Sequence, residues 1–90
     1  MHVMRHWEMG VTLAGALDAD IRARGVTLEV AAAEMGTSIG NVDRWRKGQI
    51  IPRQARHLRA LMAWLGTDER GIGPLLAASW LSKGEPPVGA

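Results

Sequence analysis

In the stretch AAAEMGTSIGNVDRW, residues 31–45, a glycine closes an apolar, alanine-rich run and two hydroxyl residues follow it at once. Gly36 accepts a positive φ at little cost, and Ser38 supplies the side-chain oxygen that caps a new helix. A chain that stops one helix, turns and starts another within three residues must pack the two against each other at a steep angle. The expectation is an all-α fold built around that corner.

The rest of the composition narrows this further. Ninety residues make one small domain with one modest core. There is no cysteine, so neither disulfides nor a thiolate cage can hold the fold, and apolar packing must do so, as in a reducing cytoplasm. Phe and Tyr are also absent, which leaves Trp7, Trp45, Trp64 and Trp80 to supply all the aromatic area. The start MHVMRHWEMG lacks an apolar leader core, and no stretch reaches the roughly 18 to 20 apolar residues of a membrane span. A soluble cytoplasmic protein is expected, in a bacterial cell or a phage-infected host, given the Ala, Gly and Arg richness.

Five helices are predicted. The first runs from Val11 to Arg24, with Leu13, Ala14, Leu17 and Ile21 at near-helical spacing and Gly25 just past its end. Thr27 caps a second, Leu28 to Met35, with Glu29 in its first turn. Ser38 caps a third, Ile39 to Lys47, that turns Val42 and Trp45 inward and leaves Gly40, Asp43, Arg44 and Lys47 outside. Pro52 pre-sets a fourth, ending at Leu65, with an apolar stripe of Ala55, Leu58, Leu61, Met62 and Leu65. A fifth follows in GPLLAASWLSKG, with Pro74 expected in its first turn. The chain thus divides into an N-terminal segment (1–10), a helix-turn-helix domain (11–66, motif 28–47), a C-terminal helix (67–83) and a flexible tail (84–90).

Charge is unevenly spread. The net charge is only +2, yet Arg44, Arg46, Lys47, Arg53, Arg56 and Arg59 fall within sixteen residues that hold no acid. Such a run gives the molecule a basic face suited to a polyanion.

The stretch RGVTLEVAAAEMGTSIGNVDRWRKGQIIP, continued by LRALMAWLG, resembles the helix-turn-helix family of phage repressors and Cro proteins, the XRE family. The likeness covers residues 17–66 and rests on Ala32 at the helix crossing, Gly36 in the turn and Ser38 opening the second motif helix. It continues through Val42 and Trp45 in the buried slots, Arg44 beside the tryptophan, then Gly48, Pro52 and the closing LG. Ala31 stands where the family usually has a large aliphatic, Thr37 where it usually has an aliphatic after the turn glycine, and Asp20 falls where its first helix is commonly apolar.

The resemblance implies a five-helix, lambda-repressor-like domain whose second motif helix lies in the major groove of double-stranded DNA. Carried over by position, Ser38, Ile39, Asn41, Asp43 and Arg44 are the base-reading candidates. Arg44 can grip guanine, Asn41 can pair with adenine, Ile39 can touch a thymine methyl, and Asp43 can accept from cytosine N4 or turn to a neighbouring cation. Thr27, Arg46, Lys47, Arg53 and Arg56 are the phosphate candidates. A homodimer on a pseudo-palindromic operator is implied, with half-sites about one helical turn (~34 Å) apart. Leu76, Trp80 and Leu81 of the fifth helix are expected to form its self-association face, the competing expectation being that this helix folds back to complete the core.

Other chemistry is sparse. His2 and His6 stand four apart with no third ligand near, and His57 is a lone histidine on a basic helix, so neither a metal nor another cofactor is expected. No nucleophile is paired with a base and no glycine-rich phosphate loop follows a strand, so no enzyme is expected. Two other readings compete with the regulator. In one the fold is a scaffold that binds another protein, antitoxin-like or host-inhibiting, through Ile39, Ile50, Ile51 and Trp64; the other is an excisionase-like architectural DNA binder.

Overall fold

The computed structural model describes residues 5–84. It contains five helices and, among the described residues, no strand: α1 (Leu13–Arg24), α2 (Leu28–Met35), α3 (Ile39–Arg46), α4 (Ala55–Leu65) and α5 (Glu69–Ser82). The expected tail beyond Gly84 and the expected His2 lie outside the described residues.

Local chemistry sets most of these boundaries. The hydroxyls of Thr12, Thr27 and Ser38 each accept the backbone N–H three residues on, at 3.1 Å, and so cap α1, α2 and α3. Thr12 therefore starts α1 two residues later than the apolar spacing suggests. At Gly36 the chain turns at φ 68°, the left-handed geometry that a side chain makes costly, and its N–H closes back on α2. The fourth helix begins at Ala55, three residues after Pro52, which is instead buried in the loop before it.

The fifth helix differs most from expectation. The Asp68 carboxylate accepts from the N–H groups of Arg70 and Gly71 and starts α5 at Glu69, so Pro74 lies inside the helix. Proline there forgoes one intrahelical hydrogen bond. Two features reduce the strain: Pro74 is exposed, and the residue before it is Gly73, with no Cβ to meet the proline ring.

α1 packs on α3 and α5, and α2 packs on α3 and α4. Leu13, Leu17, Val42, Leu61, Leu65 and Leu75 are completely enclosed between them, each contributing about 1.5 to 3 kcal/mol by leaving water. Trp45 and Trp64 pack in the same core, and Trp80 is buried outside that cluster. Trp64 is also tied at its edge: Nε1 donates to Glu34 at 3.1 Å, and the Arg24 guanidinium lies 3.7 Å over the ring while donating to the Trp64 carbonyl.

The N-terminal segment is docked from Arg5 onward. The Arg5 N–H donates to the Gly66 carbonyl, and the Thr67 hydroxyl donates back to the Arg5 carbonyl at 2.6 Å. Its guanidinium makes a two-pronged pair with Asp20 at 2.6 and 2.7 Å, with Arg24 at 3.8 Å from the same carboxylate. This resolves why an acid stands on the inner face of α1. Asp20 is only 5% exposed, and two guanidiniums replace the water it has lost. The fork on Asp20 raises the Arg5 pKa further above its already high ordinary value.

Candidate nucleic-acid interface

The site is the outer face of α3 and the loop after it. Val42 and Trp45 are three apart on this short helix and both are buried, so the positions between and opposite them face out. Trp45 is 3% exposed and meets the His57 ring of α4 edge-on, with centroids 5.0 Å apart, which fixes the rotation of α3 against the core. Ser38, Ile39 (46% exposed) and Arg44 face solvent, while Gly40 and Asn41 are half-buried.

The polar groups at the start of α3 form a chain. The Asn41 amide nitrogen donates to the Thr37 hydroxyl at 2.9 Å, and the Asn41 amide oxygen accepts from the Arg44 guanidinium at 3.0 Å. Thr37, noted in the sequence as a hydroxyl where an aliphatic is usual, anchors this array.

Asp43 turns to neighbouring cations. It takes Lys47 at 3.0 Å and Arg46 at 2.8 Å. Arg46 also reaches Asp18 on α1 at 3.5 Å, and its buried Nε has no partner. Arg46 is thus a brace between α1 and α3, which distinguishes it from the exposed cations around it. The hydrogen bond from Lys47 chiefly, aided by the charges of Lys47 and Arg46, holds the Asp43 carboxyl below its ordinary pKa. A depressed carboxylate contributes stability that is present above its unfolded pKa, about 3.9, and lost as pH falls through the lower folded value. An NMR titration of the Asp43 carboxyl is therefore expected to show a midpoint below 3.9, and a midpoint at or above it would break the clamp.

Beyond α3, the Lys83 ammonium donates to the Gln49 carbonyl at 3.0 Å and pins the loop to the end of α5. Arg53 stacks on Trp80 at 4.4 Å. Arg56 accepts orientation from Gln54, donating its Nε to the Gln54 amide oxygen at 3.0 Å, and Arg59 is exposed on the same helix. A cleft of about 460 Å³ runs between α3 and this loop, bordered by Asn41, Gln49, Arg53, His57 and Lys83. Thr27 is exposed, with its hydroxyl engaged in capping α2.

Other expected surfaces are divided by the packing. Of the proposed protein-binding set, Ile39 and Ile50 are exposed, but Ile51 and Trp64 are buried. Of the expected self-association set, Leu81 is 66% exposed, Leu76 is half-buried against the core, and Trp80 is buried. Trp80 does not join an open face because α5 folds back and turns its ring under Arg53. His6 is exposed, and among the described residues no three His, Cys, Asp or Glu side chains converge on a point. No described helix is long and apolar enough to cross a membrane.

Three participants were not singled out as site residues in the sequence: Asp18, which braces Arg46; Thr37, which orients Asn41; and Lys83, which pins the loop. Only Thr37 carried a local signal, its hydroxyl one turn before Asn41. Comparison with protein-family models, with curated proteins and with solved structures found no match to this chain.

Proposed function

We propose that this chain is a sequence-specific DNA-binding regulator of the repressor and Cro type, reading the major groove with α3. The observation that carries the reading is the corner of α2, Gly36 and α3: it buries Val42 and Trp45 and leaves Ser38, Ile39 and Arg44 outward. An exposed helix face of that width fits the major groove, where the first turn meets base edges.

Electrostatics support it. With Asp43 already occupied by Lys47 and Arg46, it presents less repulsion to a phosphate than a bare carboxylate at that slot. Lys47, Arg53 and Arg56 lie on and around the loop that would run beside the backbone, and Thr27 marks the start of α2. Arg46, braced inside, contributes to the field more than to contacts. The protein acts as a homodimer on half-sites ~34 Å apart, through Leu81 and the exposed part of Leu76, and represses by occupying a promoter. It works in the cytoplasm of a bacterial cell or phage-infected host, as a binding protein and not a catalyst. The protein-binding reading keeps Ile39 and Ile50 but has lost Ile51 and Trp64 to the core.

A fluorescence-polarisation titration against genomic fragments at several salt concentrations tests the proposal. Affinity that falls with salt and differs among fragments supports it; no binding at low salt rejects it. Within that experiment, Arg44→Ala is expected to cost about 1 to 3 kcal/mol on the preferred fragment and to flatten the differences between fragments. Lys47→Ala or Arg53→Ala should weaken all fragments alike and lower the salt slope by about one. Equal loss on every fragment for Arg44→Ala would remove it from base reading.

A further inference from the structure

The outward slots of α3 hold little hydrogen-bonding chemistry of their own, and the geometry of Arg44 shows how that lack is met. A Cβ placed on Gly40 would lie 3.3 Å from one terminal nitrogen of Arg44, 3.6 Å from the other and 3.7 Å from the guanidinium carbon. The arginine therefore lies back along the helix, over the bare backbone of Gly40, one turn closer to the N-terminus than its own Cα. The Asn41 oxygen holds it there at 3.0 Å, and Thr37 fixes the Asn41 amide through its other end at 2.9 Å.

We infer that Gly40 is a specificity-determining position, and that Thr37 and Asn41 are positioning residues that hold the Arg44 fork over it to read guanine. The inference rests on the DNA-reading proposal and sharpens it. It assigns the Gly40 slot a base contact supplied by another residue. It also adds a role for Asn41: one donor of its amide is held by Thr37 and one lone pair of its oxygen by Arg44, so the amide links the turn to the arginine. A guanidinium restrained before binding loses less rotamer freedom on docking, so the contact is pre-organised.

Gly40→Ala separates this role from a structural one because the two effects have opposite signs. Alanine is the better helix former, and the only crowded neighbour is the far end of the Arg44 side chain, so the variant folds and its Tm rises. The same methyl, 3.3 Å from the guanidinium, pushes it off its seat by a few tenths of an ångström.

The test uses the duplex that the intact wild-type protein enriches from a random-sequence pool, and the same duplex with each guanine in turn replaced by 7-deazaguanine, which lacks the N7 acceptor. The wild type is expected to lose about tenfold in affinity at one such guanine. Gly40→Ala and Thr37→Val are each expected to lower that ratio, the first with a raised Tm. If a guanine-containing duplex is enriched but both variants keep the wild-type ratio, the positioning role is overturned while DNA reading stands. An enriched duplex with no guanine sensitive to the replacement overturns it equally. If no duplex is enriched, the inference falls together with the proposed function.

Discussion

Trp45→Ala is expected to destabilise the domain by about 3 to 5 kcal/mol, the range for removing a large aromatic from a packed core. The indole is nearly inaccessible and meets His57 of α4 edge-on, so the cavity left behind opens where α3 meets α4. A domain of this size has a total stability of roughly 5 to 13 kcal/mol, so the loss is a large share of it. Urea unfolding followed by far-ultraviolet circular dichroism should show the midpoint fall steeply or the transition vanish. Because Trp45 faces away from the outer side of α3, the proposed DNA binding should fall only as the folded fraction falls. A variant that kept its midpoint and lost binding would mean that α3 is rotated from the position described.

Gly71→Ala is expected to cost about 2 to 4 kcal/mol, a large effect for adding one methyl group. The reason is contact rather than φ, since Gly71 is ordinary helix in the first turn of α5. A Cβ there would lie 1.8 Å from the Thr67 hydroxyl oxygen and 2.6 Å from the Arg5 carbonyl oxygen. The hydroxyl can rotate away, but the carbonyl belongs to a backbone that is itself bonded to Gly66 and Thr67. Relieving the clash therefore lifts the N-terminal segment, and with it the guanidinium that covers the buried Asp20. Asp20 would keep only the more distant Arg24. A double-mutant cycle isolates this coupling: in an Arg5→Ala background, where the pair is already gone, Gly71→Ala should cost markedly less in thermal or urea unfolding. Additive losses would show that the segment and Gly71 are independent.

How far the candidate site was legible follows from the range over which its determinants act. Ser38 and Gly36 each set backbone geometry within four residues, so the helix-turn-helix corner and the exposed face of α3 followed from the sequence alone. The same local chemistry lay in Asp68, whose carboxylate starts α5; Pro74 pointed to a later start because proline prefers a first turn, and only an exposed position preceded by Gly73 made the interior tolerable. The apparent acid-free basic run was less informative, since the acids that engage it lie outside it, at Asp43 and at Asp18 on another helix.

By itself, then, the sequence determined the five helices, the caps at Thr27 and Ser38, and the inward turn of Val42 and Trp45, because capping and helical period are matters of neighbouring residues. Tertiary structure decided the partners. Arg5 meets Asp20 fifteen residues away, Arg46 meets Asp18 across twenty-eight, and Thr67 meets Arg5 across sixty-two. It also decided that Trp80 lies under Arg53 instead of on an open face. A buried carboxylate needs a counter-charge and a large ring needs a cavity, but which residue answers is fixed only when packing brings distant segments within a few ångströms.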